Sequence, residues 1–200
     1  MLATNEINLD DSLCIGGWYI DTKVCDNLIK YFEESELKEA GKFGSGEGFV
    51  DLEVKDSTDI YLEREDLLAS PVLGEYISEV FKALEEFKNL YPYSTLGLAA
   101  WGFNPQINLK RYIPGQAYHG WHCERPNTTP GINERHLSFL TYLNDVTDGG
   151  ETEFLHQGIK IKPERGLTVI SGCDWTAVHR GLPSPTETKY IASGWFSYTL

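Results

Sequence analysis

Apolar and polar positions change their rhythm near the middle of this chain. After Asp21, the apolar residues Val24, Leu28 and Phe32 recur every four residues, which is a helical repeat. Asp21 stands where its carboxylate can accept the first free N–H groups of that helix. From Pro71 to Leu90, the residues Leu73, Ile77, Val80, Phe81, Leu84 and Phe87 form a second apolar stripe, with glutamates and lysines on the other face. Pro71 suits a first helical turn and Pro92 a stop. A short strand is expected at Leu13 to Ile20. Beyond Pro92 the helical period disappears, and short strands are expected at about 107–113, 118–124, 136–143, 151–155, 159–162, 167–171, 175–180 and 189–198. Turn-forming residues separate them, among them Pro114-Gly115, Asp148-Gly149-Gly150, the 163–166 PERG sequence and the Pro183 to Pro185 stretch.

Helices first and closely spaced strands afterwards predict a mainly β protein with flanking α-helices, built on a double-stranded β-helix, the jelly-roll or cupin-like core. One domain over 1–200 is expected, with 1–104 as a helical and loop support and 105–200 as the β core. The strand-rich half has no helix-length crossovers, which disfavours a parallel sheet. No GxGxxG or GxxxxGK[ST] sequence accompanies it, so the glycine-rich KFGSGEGF at 42–49 reads as a loop and a candidate lid, not a phosphate cradle.

Charge and composition narrow the field of partners. A formal net charge of -13 with no lysine or arginine run argues against general nucleic-acid binding. No stretch approaches the roughly 20 apolar residues that span a bilayer, and the acidic N-terminus MLATNEINLDD does not read as a signal peptide. The four scattered cysteines predict free thiols and a reducing, cytoplasmic setting. The oligomeric state is not readable from these features.

The chemistry concentrates in YHGWHCE, Tyr118 to Glu124. In a strand, His122 and Glu124 project to one face and Cys123 to the other, which delivers an imidazole and a carboxylate to one ion. His179, after a strand-like run and before a glycine, is the candidate third ligand. Two histidines and one carboxylate leave positions for a chelating co-substrate and O₂, the arrangement used at Fe(II). A zinc site drawing on His119, Cys123 or Cys173 is the metallic alternative, but it lacks a CxxC or HExxH motif. Lys189 shares parity with Ile191, Ser193 and Trp195, so its ammonium can enter the same barrel mouth and pair with the far carboxylate of 2-oxoglutarate. Tyr112 and Tyr142 are candidate hydroxyl donors to that co-substrate, and Ser138 shares the parity of Tyr142. Trp195 packs either beneath the cofactor region or in the core.

With these residues in place, the second half resembles the iron(II)- and 2-oxoglutarate-dependent dioxygenase superfamily, and its prolyl 4-hydroxylase-like branch in particular. The matching text is RYIPGQAYHGWHCE at 111–124, RHLSFLTYLNDVTDGGETEF at 135–154 and HRGLPSPTETKYIASGW at 179–195. The resemblance implies His122, Glu124 and His179 as iron ligands, Lys189 as the residue that grips 2-oxoglutarate, and Tyr112 near the same carboxylate. It also implies O₂ as oxidant, ascorbate as a candidate reductant, and hydroxylation of a peptidyl proline. Tyr61 and Arg180 are candidate substrate contacts. A free amino acid or other small metabolite is the alternative substrate, and a non-catalytic jelly roll with a degenerate metal site is the alternative function. Two features depart from the family pattern: HxE replaces HxD, and one extra residue separates Tyr112 from His122. A bulge in the 118–124 strand is one way to absorb both. Retention of a carboxylate at 124 argues for hydroxylation over halogenation.

Overall fold

The computed structural model describes residues 7, 9–44 and 48–199. Strand β1 (Ile15–Tyr19) leads into helix α1 (Thr22–Glu34), where the Asp21 carboxylate accepts from the Lys23 N–H at 2.9 Å. A two-residue strand β2 (Glu39–Ala40) and strand β3 (Thr58–Leu62) precede a short helix α2 (Arg64–Ala69) and the long helix α3 (Pro71–Leu90). The β-rich half then runs β4 (Trp101–Tyr112), β5 (Arg135–Tyr142), β6 (Thr152–Phe154), β7 (Ile159–Ile161), β8 (Leu167–Gly172), β9 (His179–Gly181) and β10 (Lys189–Tyr198).

All strand pairs are antiparallel, and they form two sheets. The larger has the order β1-β8-β5-β10-β4-β3-β2, and the smaller β7-β6-β9. Strict alternation gives the large sheet two working faces. Ile107 and Leu109 of β4, Leu137 and Phe139 of β5, Ile170 of β8, and Ala192 and Phe196 of β10 join the core shared with α1 and α3. The intervening positions, including Tyr112, Tyr142, Val169 and Ile191, turn the other way and meet Phe154 and Ile161 of the small sheet. Helices on one face and a second sheet on the other make the core a double-stranded β-helix with helical support, as its sequence pattern predicts.

Several boundaries differ from the sequence reading for identifiable reasons. The 118–124 segment is not a regular strand. Tyr118 makes an isolated bridge to Lys55, and His122 one to His179, with the Gly120 N–H bonded to the Val54 carbonyl between them. Strand β4 begins at Trp101, six residues before the predicted start, despite Pro105. The β4–β10 register shifts between Gly194 and Phe196, so Asn104, Pro105 and Gln106 face a single residue and the proline falls in the bulge, where no regular ladder N–H is required. The predicted strand at 175–180 resolves into a 3₁₀ turn, Trp175–Ala177, followed by β9.

Within α3 the buried stripe is Leu73, Tyr76, Val80, Ala83, Leu84 and Phe87, while Phe81 is exposed. Tyr76 enters the sheet because its hydroxyl finds Thr141 Oγ1 at 2.9 Å, which itself meets Thr168 Oγ1 at 2.8 Å. Strand β3 and helix α2 were not anticipated. The glycine-rich loop closes on itself through reciprocal backbone bonds between Phe43 and Phe49 at 3.0 and 2.8 Å; residues 45–47 lie outside the described set.

The connection between that loop and β3 carries a sealed ion pair. Lys55 Nζ lies 2.6 Å from Asp59 Oδ2, and both side chains are essentially inaccessible. Ser57 and Tyr61 also donate to Asp59, at 2.7 and 3.0 Å. A buried charge stripped of its partner is costly. Asp59→Leu is therefore expected to lower the unfolding free energy by about 3–5 kcal/mol, and Lys55→Met combined with Asp59→Leu to recover most of the loss. Urea denaturation of the three variants measures both effects.

Candidate metal centre

His122 and His179 are opposed across an antiparallel bridge. The His122 N–H donates to the His179 carbonyl at 3.0 Å, and the His179 N–H returns a bond to the His122 carbonyl at 2.9 Å. Directly opposed residues project to the same side, which brings the two imidazoles together with ring centroids 4.4 Å apart. Each ring then uses one nitrogen internally. His122 Nδ1 lies 2.9 Å from the Gly120 carbonyl and His179 Nδ1 lies 3.0 Å from the Ala177 carbonyl. A carbonyl only accepts, so both protons belong on Nδ1 and both Nε2 lone pairs are free. Those two Nε2 atoms lie 3.8 and 3.7 Å from the same Glu124 oxygen, Oε1.

The surroundings favour the protonation states that a cation needs. Burial first, and the neighbouring His179 second, push His122 down to about 3. For Glu124 burial alone acts upward, but His122, His179, Arg135 and Lys110 together pull it down to about 2. The neutral His122 imidazole, the His179 imidazole and the ionised Glu124 carboxylate converge, all within 4.8 Å of one another. Tyr118 stacks on His122 at 3.7 Å and 11°, and Phe154 lies 5.3 Å from the His179 ring, so both imidazoles are held from behind.

The longer carboxylate of the HxE sequence has its own support. Glu124 Oε2 accepts from the Trp195 indole N–H at 2.9 Å and lies 3.5 Å from Arg135 Nη1. The guanidinium stacks 3.6 Å over the Trp195 ring and also donates to the Glu124 backbone carbonyl at 3.0 Å. One oxygen is thus anchored in the protein and the other faces the imidazoles. This two-sided anchoring takes up the extra methylene without a regular strand.

From the triad a pocket runs between the sheets, and Lys189 lies at its floor, 4% exposed. Its ammonium donates to the Gly150 carbonyl at 2.7 Å and sits 5.0 Å from the Tyr112 ring centroid. Among the described residues no carboxylate forms an ion pair with it, and burial, only partly opposed by the Glu151 charge, lowers its pKa to about 8. The Gly149-Gly150 turn that presents this carbonyl has φ of +75° and +79°, and a Cβ on Gly149 would lie 2.7 Å from the Pro183 oxygen, so glycine is required there.

Tyr112, Tyr142 and Ser138 also line the pocket. The Tyr142 hydroxyl donates to Thr152 Oγ1 at 2.6 Å, and Ser138 pairs with Ser171 at 3.2 Å. Tyr61 and Arg180 lie elsewhere. Tyr61 is engaged by Lys42 N at 2.6 Å and by Asp59, while Arg180 pairs with Glu153 at 2.8 Å and covers Trp121 at 4.4 Å. His119, Cys123 and Cys173 belong to no metal-binding cluster among the described residues. Sequence reasoning missed Lys110, whose two-residue spacing from Tyr112 already placed it on the pocket face. It also missed Arg135, which lies at the register shift between Phe196 and Ser197 where alternation stops being a guide.

With this geometry defined, comparison with known proteins is informative. The model of the 2OG-Fe(II) oxygenase superfamily matches residues 107–197. A protein of Arabidopsis thaliana named probable prolyl 4-hydroxylase 9 is 31% identical over 114 residues, covering 44% of this chain and 39% of that protein. A putative prolyl 4-hydroxylase of Acanthamoeba polyphaga mimivirus is 23% identical over 220 aligned positions, covering 98% and 83%. The chain thus spans about two fifths of the length of its Arabidopsis relatives. Among solved structures, the 2OG complex of the viral collagen prolyl hydroxylase from Paramecium Bursaria Chlorella virus-1 superposes with a TM-score of 0.70 at 20% identity, over 96% of this chain and 100% of that one. A Pseudomonas putida prolyl-4-hydroxylase gives 0.65 at 15% identity, over 94% of each chain. These structural likenesses establish the fold. Residues 107–197 of this chain thus match the 2OG-Fe(II) oxygenase superfamily model, and the relatives it resembles carry prolyl 4-hydroxylase names.

Residues that orient a ligating side chain typically change metal affinity by about 10- to 100-fold when removed. Trp195→Phe keeps an aromatic ring at this position but removes the indole N–H that holds Glu124. It is expected to weaken Mn(II) or anaerobic Fe(II) binding about tenfold with little change in thermal stability, as measured by metal titration alongside a melting curve.

Proposed function

We propose that this chain is an Fe(II)- and 2-oxoglutarate-dependent dioxygenase that hydroxylates an unactivated C–H bond, with a prolyl residue of a peptide as its substrate. One observation carries the reading: two free imidazole nitrogens and one carboxylate oxygen converge at a pocket whose floor holds a buried lysine without an acidic partner. The donor set fits Fe(II), because two imidazole nitrogens and one carboxylate leave coordination positions open. The pocket fits the keto acid, because Lys189 lacks the counter-anion that a dicarboxylate supplies. The prolyl substrate class rests on the names of the relatives.

In this reading His122, Glu124 and His179 hold the metal, and Lys189 takes the far carboxylate of 2-oxoglutarate beside Tyr112. When bound, the metal and keto acid supply the oxidative chemistry, in which O₂ is consumed, succinate and CO₂ are released, and one oxygen atom goes to the substrate carbon. The protein's own contribution is geometric and electrostatic. The Nδ1 contacts fix both imidazole tautomers, Trp195 and Arg135 hold Glu124 to one ligating oxygen, and the apolar walls formed by Ile191, Val169 and Phe154 keep water from the pocket.

Anaerobic addition of Fe(II) and 2-oxoglutarate is expected to give a visible charge-transfer band. His179→Ala and Glu124→Ala abolish it, and Lys189→Ala shifts its appearance to concentrations of keto acid about tenfold or more higher. Absence of the band in the unmodified protein at saturating reagents overturns the reading. Succinate formation that depends on a proline-containing peptide, together with a gain of one oxygen atom on that peptide, tests the substrate class against free amino acids. Lys189 loses its proton near pH 8 in the free protein, and only the ammonium pairs with a carboxylate. Affinity for 2-oxoglutarate is therefore expected to be flat below pH 8 and to fall above it, as measured by calorimetry on the Mn(II) form.

A further inference from the structure

Lys189 is not the only ammonium group in the pocket. Lys110, on β4, also lines it, and its Nζ donates to Ser193 Oγ at 2.8 Å. Among the described residues no carboxylate forms an ion pair with Lys110: Asp59, opposite it on β3, is taken by Lys55, and Glu124 is held by Trp195. A lysine held in a pocket by a single neutral hydroxyl has an unmet demand for negative charge. Its position along the pocket is defined by the strand register. Lys189 stands opposite Tyr112, Ile191 opposite Lys110, and Ser193 opposite Asn108. The next inward residue of β10 is Trp195, whose indole holds Glu124. Lys110 and Ser193 therefore lie between the floor lysine and the metal-binding carboxylate. Each inward step of a strand is roughly 7 Å, comparable to the length of a five-carbon dicarboxylate.

Building on the function proposed above, we propose that Lys110 and Ser193 form a second carboxylate subsite, which takes the metal-side carboxylate of the keto acid while Lys189 takes the far one. The pocket then has one cation for each end of a dicarboxylate. With the divalent ion bound, Lys110 and Lys189 leave the lining positive against the single charge of Glu124, and a dianion offsets that excess. Ser193 accepts from Lys110 and keeps the ammonium on the pocket side of the sheet.

The test separates the two ends of the ligand. The Mn(II)-loaded protein, which binds without turning over, is titrated at pH 7 with 2-oxoglutarate and with 2-oxopentanoate, which has the same chain but lacks the far carboxylate. Lys189→Met is expected to weaken 2-oxoglutarate about tenfold or more and to leave 2-oxopentanoate within threefold of the unmodified protein. Lys110→Gln is expected to weaken both acids about tenfold, and Lys110→Arg to stay within threefold for both. Lys110→Met provides the same comparison if the Gln variant does not fold.

Unchanged affinity for 2-oxoglutarate in folded Lys110→Gln or Lys110→Met would overturn the subsite, including the case where Mn(II) binding weakens while keto-acid binding at saturating metal does not, since the lysine would then serve Glu124 alone. If the unmodified Mn(II) protein binds neither acid, the co-substrate reading fails first and the subsite with it.

Discussion

The reciprocal backbone hydrogen bonds between His122 and His179 are the constraint on which the site depends. They oppose two residues from distant parts of the chain, and opposition across an antiparallel pair forces both side chains to one side. Each neighbouring feature refines that placement. The Gly120 and Ala177 carbonyls choose the ring tautomers, and Tyr118 and Phe154 back the rings. Glu124 then needs only to reach the open nitrogens, which it does while anchored to Trp195.

The two faces of the large sheet divide the labour. Ile107, Leu109, Phe139 and Phe196 bury against α1 and α3, so the helices fix the curvature and spacing of the strands. The alternate residues of the same strands build a pocket that mixes apolar walls with two lysines, a carboxylate and two histidines. Alternation keeps the polar lining on the pocket side and so leaves the hydrophobic core intact, with Phe139 the residue that touches both. Thr141 and Thr168 are polar exceptions buried on the helix side, and they are satisfied by each other and by Tyr76.

Much of this organisation was legible in the residues. Parity placed Lys189, Ile191, Ser193 and Trp195 on one face, and the structure puts all four in the pocket lining. Helices α1 and α3 were marked by their apolar spacing and by Asp21 and Pro71. What escaped lay where local pattern breaks down. The 118–124 segment alternates like a strand, yet it is held by isolated bridges to two different partners, which only the folded chain supplies. The strand expected from about 107 begins at Trp101 and passes Pro105 by way of a bulge. Arg135 reaches Glu124 beside a register shift, and Lys110 was not singled out although it shares the parity of Tyr112.

The sealed pair of Lys55 and Asp59 bears on more than the loop that contains it. Lys55 is bridged by its backbone to Tyr118, and its ammonium lies 5.6 Å from the ring that supports His122. Dissolved salt screens charges that water can reach, such as the helix-surface pairs Lys30–Glu34 and Lys88–Glu85, but it penetrates poorly to a pair with both ends covered. The scaffolding behind the His122 imidazole is accordingly insulated from ionic strength, while the outer surface of the same molecule responds to it.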